Sequence, residues 1–219
     1  MLRFRLAAAA AAAFVLPALA QAMPLSSPYV EVSGGWAGAG RIKAQGVDAV
    51  LGPLAVTEHL KTGWIASALA GARLGQSPFA VEAEALYARN NISSPDLDAA
   101  FGAPLQMQSR AKGVLANFKV SAPNGWHASG FTLRPYAAGG VGYGRNDIDI
   151  LGDDYGGDGT VWQAKAGLEL ASAGRFAWDL GYRYLSLPRF HTDQLGLDVH
   201  MKTHLQAVTF GLVYRLGGR

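Results

Sequence analysis

The sequence predicts an all-β fold, an eight-stranded antiparallel up-and-down transmembrane β-barrel, on three observations. Hydrophobic residues make up 50% of the chain, yet beyond residue 22 no unbroken apolar segment approaches the roughly 18–20 residues a membrane helix needs. Apolar positions instead alternate with polar or small ones in short runs, the period of a strand with two different faces. The connections between those runs alternate between long and short, as they do when strands pass up and down through one membrane.

The start of the chain stands apart from this pattern. Arg3 and Arg5 precede an apolar run from Leu6 to Leu19, and Ala20-Gln21-Ala22 spells a small-x-small cleavage site, so residues 1–22 read as a secretory signal peptide. The run is short and broken by Pro17, which disfavours an anchor helix. Cleavage after Ala22 leaves residues 23–219 as one domain and removes two arginines. The exported chain then carries 17 Lys and Arg against 16 Asp and Glu, a net charge of +1, so the basic isoelectric point is not a nucleic-acid footprint. Cysteine is absent, which excludes disulfides, thiol chemistry and thiolate-held metals.

Eight period-two runs follow, at 28–39, 62–74, 78–90, 108–120, 131–145, 160–171, 175–187 and 203–216. In FAWDLGYRYLS, residues 176–186, Phe176, Trp178, Leu180, Tyr182 and Tyr184 share one face, and Ala177, Asp179, Gly181 and Arg183 the other. VTFGLVYRL, residues 208–216, repeats the pattern. The odd connections, 40–61, 91–107, 146–159 and 188–202, are long and polar; those near Gly75–Ser77, Ala122–Gly130 and Ser172–Gly174 are shorter. If the first strand rises from the periplasm, the outward parity carries Trp36, Trp64, Tyr87, Tyr143, Trp162 and Tyr184 to an upper rim and Phe79, Phe118, Phe176 and Tyr214 to a lower one. Two aromatic girdles suit two membrane interfaces, and a soluble barrel has no use for them.

The pieces PYAAGGVGYGRN (135–146), WQAKAGLEL (162–170), WDLGYRYL (178–185) and TFGLVYRL (209–216) make the chain resemble the small outer-membrane β-barrel family. That family includes the eight-stranded OmpA-type transmembrane domain and the opacity-like surface antigens, and the chain looks like a short porin-family member. The resemblance implies residence in the outer membrane of a Gram-negative bacterium. It also implies insertion by the barrel-assembly machinery, which reads a terminal-strand signal similar to Thr209, Gly211, Tyr214 and Leu216 here, with Leu216 where the family prefers Phe.

Groups that could carry chemistry were weighed in turn. Gly139, Gly140, Gly142 and Gly144 look like a phosphate cradle, but a dinucleotide fingerprint needs a helix next, and Arg145-Asn146-Asp147-Ile148-Asp149 is loop-like and acidic. Ala138, Gly140, Gly142 and Gly144 have the inward parity instead, and small residues relieve crowding in a narrow barrel. The same parity sends Glu31, Glu82, Glu84, Asn117, Lys119, Gln163, Lys165, Glu169, Asp179, Arg183 and Arg215 inward. Charges survive there only if paired, so a network joining the carboxylates to Lys165, Arg183 and Arg215 is expected, with packing as its first role and a conducting path as the alternative.

His127-Ala128-Ser129 matches the His-x-Ser pair of outer-membrane lipid A deacylases, but it falls in a periplasmic turn rather than on the barrel wall. In the fourth long connection, His191, Asp193, Asp198, His200 and His204 read as solvated loop residues, because His200 and His204 stand too far apart along a strand to chelate one ion. In the third, Asp147, Asp149, Asp153, Asp154 and Asp158 fail the calcium-loop spelling, since Leu151 takes a ligand position and no glutamate closes the loop, leaving at most weak divalent-cation contact. Arg41, Lys43, Lys61, Arg89, Arg110, Lys112, Arg145, Arg189 and Lys202 gather at or above the upper rim, where lipopolysaccharide phosphates would be natural partners; Lys112, with lipid-facing parity, must snorkel.

The expected function is therefore that of a non-enzymatic structural or surface-exposed barrel presenting four loops to lipopolysaccharide or external partners, with no catalytic, cofactor-binding or metal residues and no nucleic-acid partner. A narrow porin-like channel and a lipid A-modifying enzyme are the alternatives.

Overall fold

In the computed structural model the chain is described over residues 25–48, 52–60, 62–93, 107–128, 130–150, 153–172, 174–188, 190–192 and 198–216. These residues form eleven strands and no helix: β1 (Leu25–Asp48), β2 (Gly52–Leu60), β3 (Gly63–Leu74), β4 (Phe79–Ser93), β5 (Met107–Ser121), β6 (Trp126–Ala128), β7 (Phe131–Ile150), β8 (Asp153–Ala171), β9 (Phe176–Ser186), β10 (Phe190–Thr192) and β11 (Asp198–Arg215). The expected signal peptide lies outside the described residues.

Eight strands make the wall. Each of β1, β3, β4, β5, β7, β8, β9 and β11 pairs antiparallel with the next, and β11 returns to β1 from Tyr29↔Arg215 to Val47↔Asp198. The seam ends with Leu216 N donating to Pro28 O at 2.8 Å. Closure is what lipid demands, because an open sheet edge would leave a row of backbone groups with neither partner nor water.

The strands outrun the expected ones at the long-connection end. Residues 41–48 of β1 pair with β2, and β2 continues the line of β3, so most of the expected loop 40–61 is a hairpin. The acidic connection is likewise a hairpin, with Asp149 opposite Asp154 and Ile150 opposite Asp153. In the fourth connection β10 pairs with β11. A strand needs only about 9–11 residues to cross the apolar layer, whereas β7 has 20 and β8 has 19. Their surplus therefore rises beyond the membrane, where the lipid-facing alternation has no reason to persist.

The other end is tight. Gly75 takes φ 61°, a left-handed conformation that glycine adopts without steric penalty, and Ser77 N donates to Leu74 O at 3.1 Å to close the turn. The 122–130 connection corrects the expected plain turn: β6 pairs there with the start of β7, His127 opposite Thr132.

Outward side chains are those a bilayer would solvate. Trp36 is 72% exposed, and Val32, Val114, Val141, Leu180, Val208 and Phe210 all face out. Both girdles are present: Trp64 packs on Tyr87 and Trp162 on Tyr184 near the hairpin end, Phe79 on Phe118 and Phe176 on Tyr214 near the turn end, with ring centroids 5.1–5.4 Å apart.

Candidate functional site

Inward side chains divide the lumen into two zones. Toward the turn end, every charged residue expected to point inward does so, and most are nearly or fully buried. Arg183 Nη2 reaches Glu84 Oε1 at 2.6 Å, and Lys165 Nζ lies 3.2 Å from Glu84 Oε2 and 3.4 Å from Glu82 Oε2. Arg215 Nη2 is 2.6 Å from Glu169 Oε1. Asn117 and Gln163 donate to Glu84 Oε2 at 2.8 and 2.6 Å. Glu82, Glu84 and Glu169 are thus shared among several donors, the condition under which charge is tolerated away from water, whereas Asp179 Oδ2 and Arg183 Nε and Nη1 are buried without a hydrogen-bond partner among the described residues.

Lys119 is the centre that parity alone did not single out. Its ammonium lies 3.8 Å from Glu82 and 3.7 Å from Glu169, and 4.3 Å and 5.5 Å from the ring centroids of Tyr136 and Tyr29. Those tyrosines donate in turn to Asp179 Oδ1 at 2.9 Å and Glu82 Oε1 at 2.6 Å. Both share the inward parity of their strands, so alternation was the signal that could have found them. Gly140 opens the space: a Cβ there would collide with the Asn117 side chain, whereas at Gly142 it would strike the backbone of β5.

Toward the hairpin end the lumen is apolar. Ile65, Leu86, Leu115, Val161, Leu185 and Leu205 belong to one buried cluster. Its polar members are satisfied, with Asn90 Nδ2 donating to Ala37 O at 2.9 Å and Ser109 Oγ to Asn146 Oδ1 at 3.1 Å.

A second constellation lies on the outside. In the registers of β4, β5 and β7, Arg89 is directly opposite Arg110, and Lys112 is opposite both Tyr87 and Arg145. Four cations on three adjacent strands therefore sit at and just above the upper girdle, all with outward parity. Arg145 Nε is 2.6 Å from Asp147 Oδ1 and Arg110 Nη2 is 3.6 Å from Asp149 Oδ2, while Arg89 Nη2 donates to Gln108 Oε1 at 2.6 Å. Lys112 is exposed and makes no ion pair among the described residues. Asp147 and Asp158 stand opposite Arg110 and Arg145 in the registers of β5, β7 and β8, so carboxylates interleave with the cations, while the like charges directly opposite each other on the sheet repel.

The remaining candidates scatter. His127 is exposed on β6 at the turn end; Ser129, Asp193, Lys61 and Arg189 lie outside the described residues. His191 and His200 are register partners across β10 and β11, in a hairpin rather than a loop, and His204 stacks on Tyr184 with centroids 5.5 Å apart. Asp153 and Asp154 stand at the start of β8, and Asp158 accepts a hydrogen bond from Tyr143. Asp198 opposes Val47, Arg41 opposes His204 and Lys43 opposes Lys202 in the seam between β1 and β11. Among the described residues no three His, Asp or Glu side chains converge as a metal site would require.

Comparison with known proteins accords with this geometry. A family model described as "Outer membrane protein beta-barrel domain" matches residues 6–215. The fold is similar to that of Neisserial surface protein A, NspA, with a TM-score of 0.51 at 17% identity over 88% of this chain and 99% of that one. It is also similar to the outer membrane protein OprG from Pseudomonas aeruginosa, with a TM-score of 0.52 at 11% identity over 87% and 97%. No curated protein matches the chain significantly.

Proposed function

Because the chain belongs to the outer-membrane protein β-barrel family, we propose that it is a non-enzymatic envelope protein whose outer wall holds lipopolysaccharide through the basic patch of β4, β5 and β7. The carrying observation is the register: Arg89 against Arg110 and Lys112 against Arg145, on the lipid-facing parity at the height of the girdle. The like-charged pairs Arg89–Arg110 and Lys112–Arg145 present outward donors at one height, and phosphates accept charge-assisted hydrogen bonds from guanidinium and ammonium groups. Lipid A phosphates occupy that height in the outer leaflet. Lys112, whose parity pointed to lipid, then has a partner at the place where its stem would snorkel.

Two features support a structural rather than a conducting or catalytic role. The apolar zone fills the lumen between the ion-pair network and the hairpins, where an ion path would need water. His127, from the His-x-Ser spelling that reads as a surface turn, lies at the turn end of the barrel, away from the outer leaflet. Export through a cleaved signal peptide and delivery to the barrel-assembly machinery belong to the same reading.

The test is lipopolysaccharide retained through detergent purification, measured by mass spectrometry. The R89Q/R110Q/K112Q/R145Q variant should retain at least tenfold less than the native chain, while keeping the folded-versus-boiled difference in gel migration. Equal retention would sink the proposal.

A further inference from the structure

A cavity of about 160 Å³ opens at the turn end, away from the basic patch of β4, β5 and β7, with Arg73, Lys119, Arg134, Glu169 and Arg215 in its lining. The three arginines come from β3, β7 and β11, strands set apart around the wall rather than neighbours. All have the inward parity, so they converge on the axis of the mouth. Arg134 stands opposite Glu169 in the register of β7 and β8 and lies within electrostatic reach of both Arg73 and Arg215, so one carboxylate faces three mutually repelling guanidiniums.

Counter-charge is short. Among the lining residues Glu169 is the one carboxylate, and it is engaged by Arg215 at 2.6 Å and by Lys119 at 3.7 Å. Arg73 and Arg134 make no ion pair among the described residues, and Arg134 Nε is buried with no hydrogen-bond partner. Guanidinium forks fixed around a concave, partly desolvated site are suited to a tetrahedral oxyanion. The hydroxyl-bearing Ser27 and Ser121 stand in the same wall and offer further donors.

We propose that this vestibule is a phosphate-binding site facing the periplasm, in which Arg73 and Arg134 grip the oxyanion and Arg215 supports them from its pair with Glu169. The volume suits a single phosphate group. It is too small for a folded partner, and the apolar zone above bars onward passage.

The test is titration of the mature protein in maltoside micelles, which carry no phosphate, with inorganic phosphate followed by calorimetry. Saturable binding is expected, weakened at least tenfold in R73Q and in R134Q and less in R134K; each variant's gel migration before and after boiling checks its fold. No saturable binding by the native chain, or equal binding by R73Q and R134Q, overturns the proposal. Phosphatidylglycerol added to the phosphate-loaded protein separates the sources: displacement assigns the site to an inner-leaflet headgroup, and undiminished binding assigns it to a soluble periplasmic phosphate. The R89Q/R110Q/K112Q/R145Q variant should bind phosphate as the native chain does, so this proposal and the lipopolysaccharide reading fail separately.

Discussion

The two zones of the lumen occupy the same wall, bounded by the same strands, yet they solve burial in opposite ways. The hairpin-end zone excludes water with Ile65, Leu115, Leu185 and their neighbours, and its stability is a matter of contact and volume. The turn-end zone buries Glu82, Glu84, Asp179 and Arg183 almost completely, and its stability depends on the ion pairs and hydrogen bonds that join them to their neighbours. A gap in the first leaves a void. A gap in the second leaves an ion with no partner, and that is the larger penalty.

The largest effect should therefore come from Glu84→Leu. It strips partners from Arg183, Lys165, Asn117 and Gln163 together, and we expect a loss of about 3–5 kcal/mol, read as a lowered urea midpoint for unfolding in detergent. Leu185→Ala, in the apolar zone, should cost about 2–4 kcal/mol by the same measurement. A loss from Leu185→Ala as large as that from Glu84→Leu would erase the distinction between the zones. The smallest effect is expected of the double variant E84L/R183M, because the guanidinium that lost its carboxylate is gone as well; it should regain more than half of the single-variant loss. Failure to regain any would show that the other donors to Glu84 carry the network.

Much of this contrast was legible in the sequence, since period-two alternation assigns every residue of a strand to one face without knowledge of its neighbours. That is why Glu82, Lys165 and Arg183 could be sent inward and Trp36 and Trp162 outward. Alternation cannot say which strands meet at what height. The facing of Arg89 with Arg110 depends on register between β4 and β5, and the gathering of Arg73, Arg134 and Arg215 depends on the closure of the whole wall. Arg73 and Arg134 were missed for that reason, as was the seating of Lys119 between Tyr29 and Tyr136. The extended hairpins were illegible for a different cause. Residues 41–48 and 52–59, and 146–150 and 153–157, pair beyond the aromatic girdle, where the outward face carries Arg145, Asp147 and Asp149 rather than apolar residues and so gives no lipid-facing alternation to read.

The seam between β1 and β11 carries a kinetic consequence. It joins the two ends of the described chain, so the last pairing to become available in sequence is the one that removes both open edges. Contacts of such separation must bear the entropy of closing a very long loop before they return any energy. Until that moment the growing sheet has two adhesive borders, and afterwards it has none. Folding is thus expected to be slow and all-or-none, with an unzipping barrier that keeps the finished barrel intact long after its equilibrium stability alone would suggest.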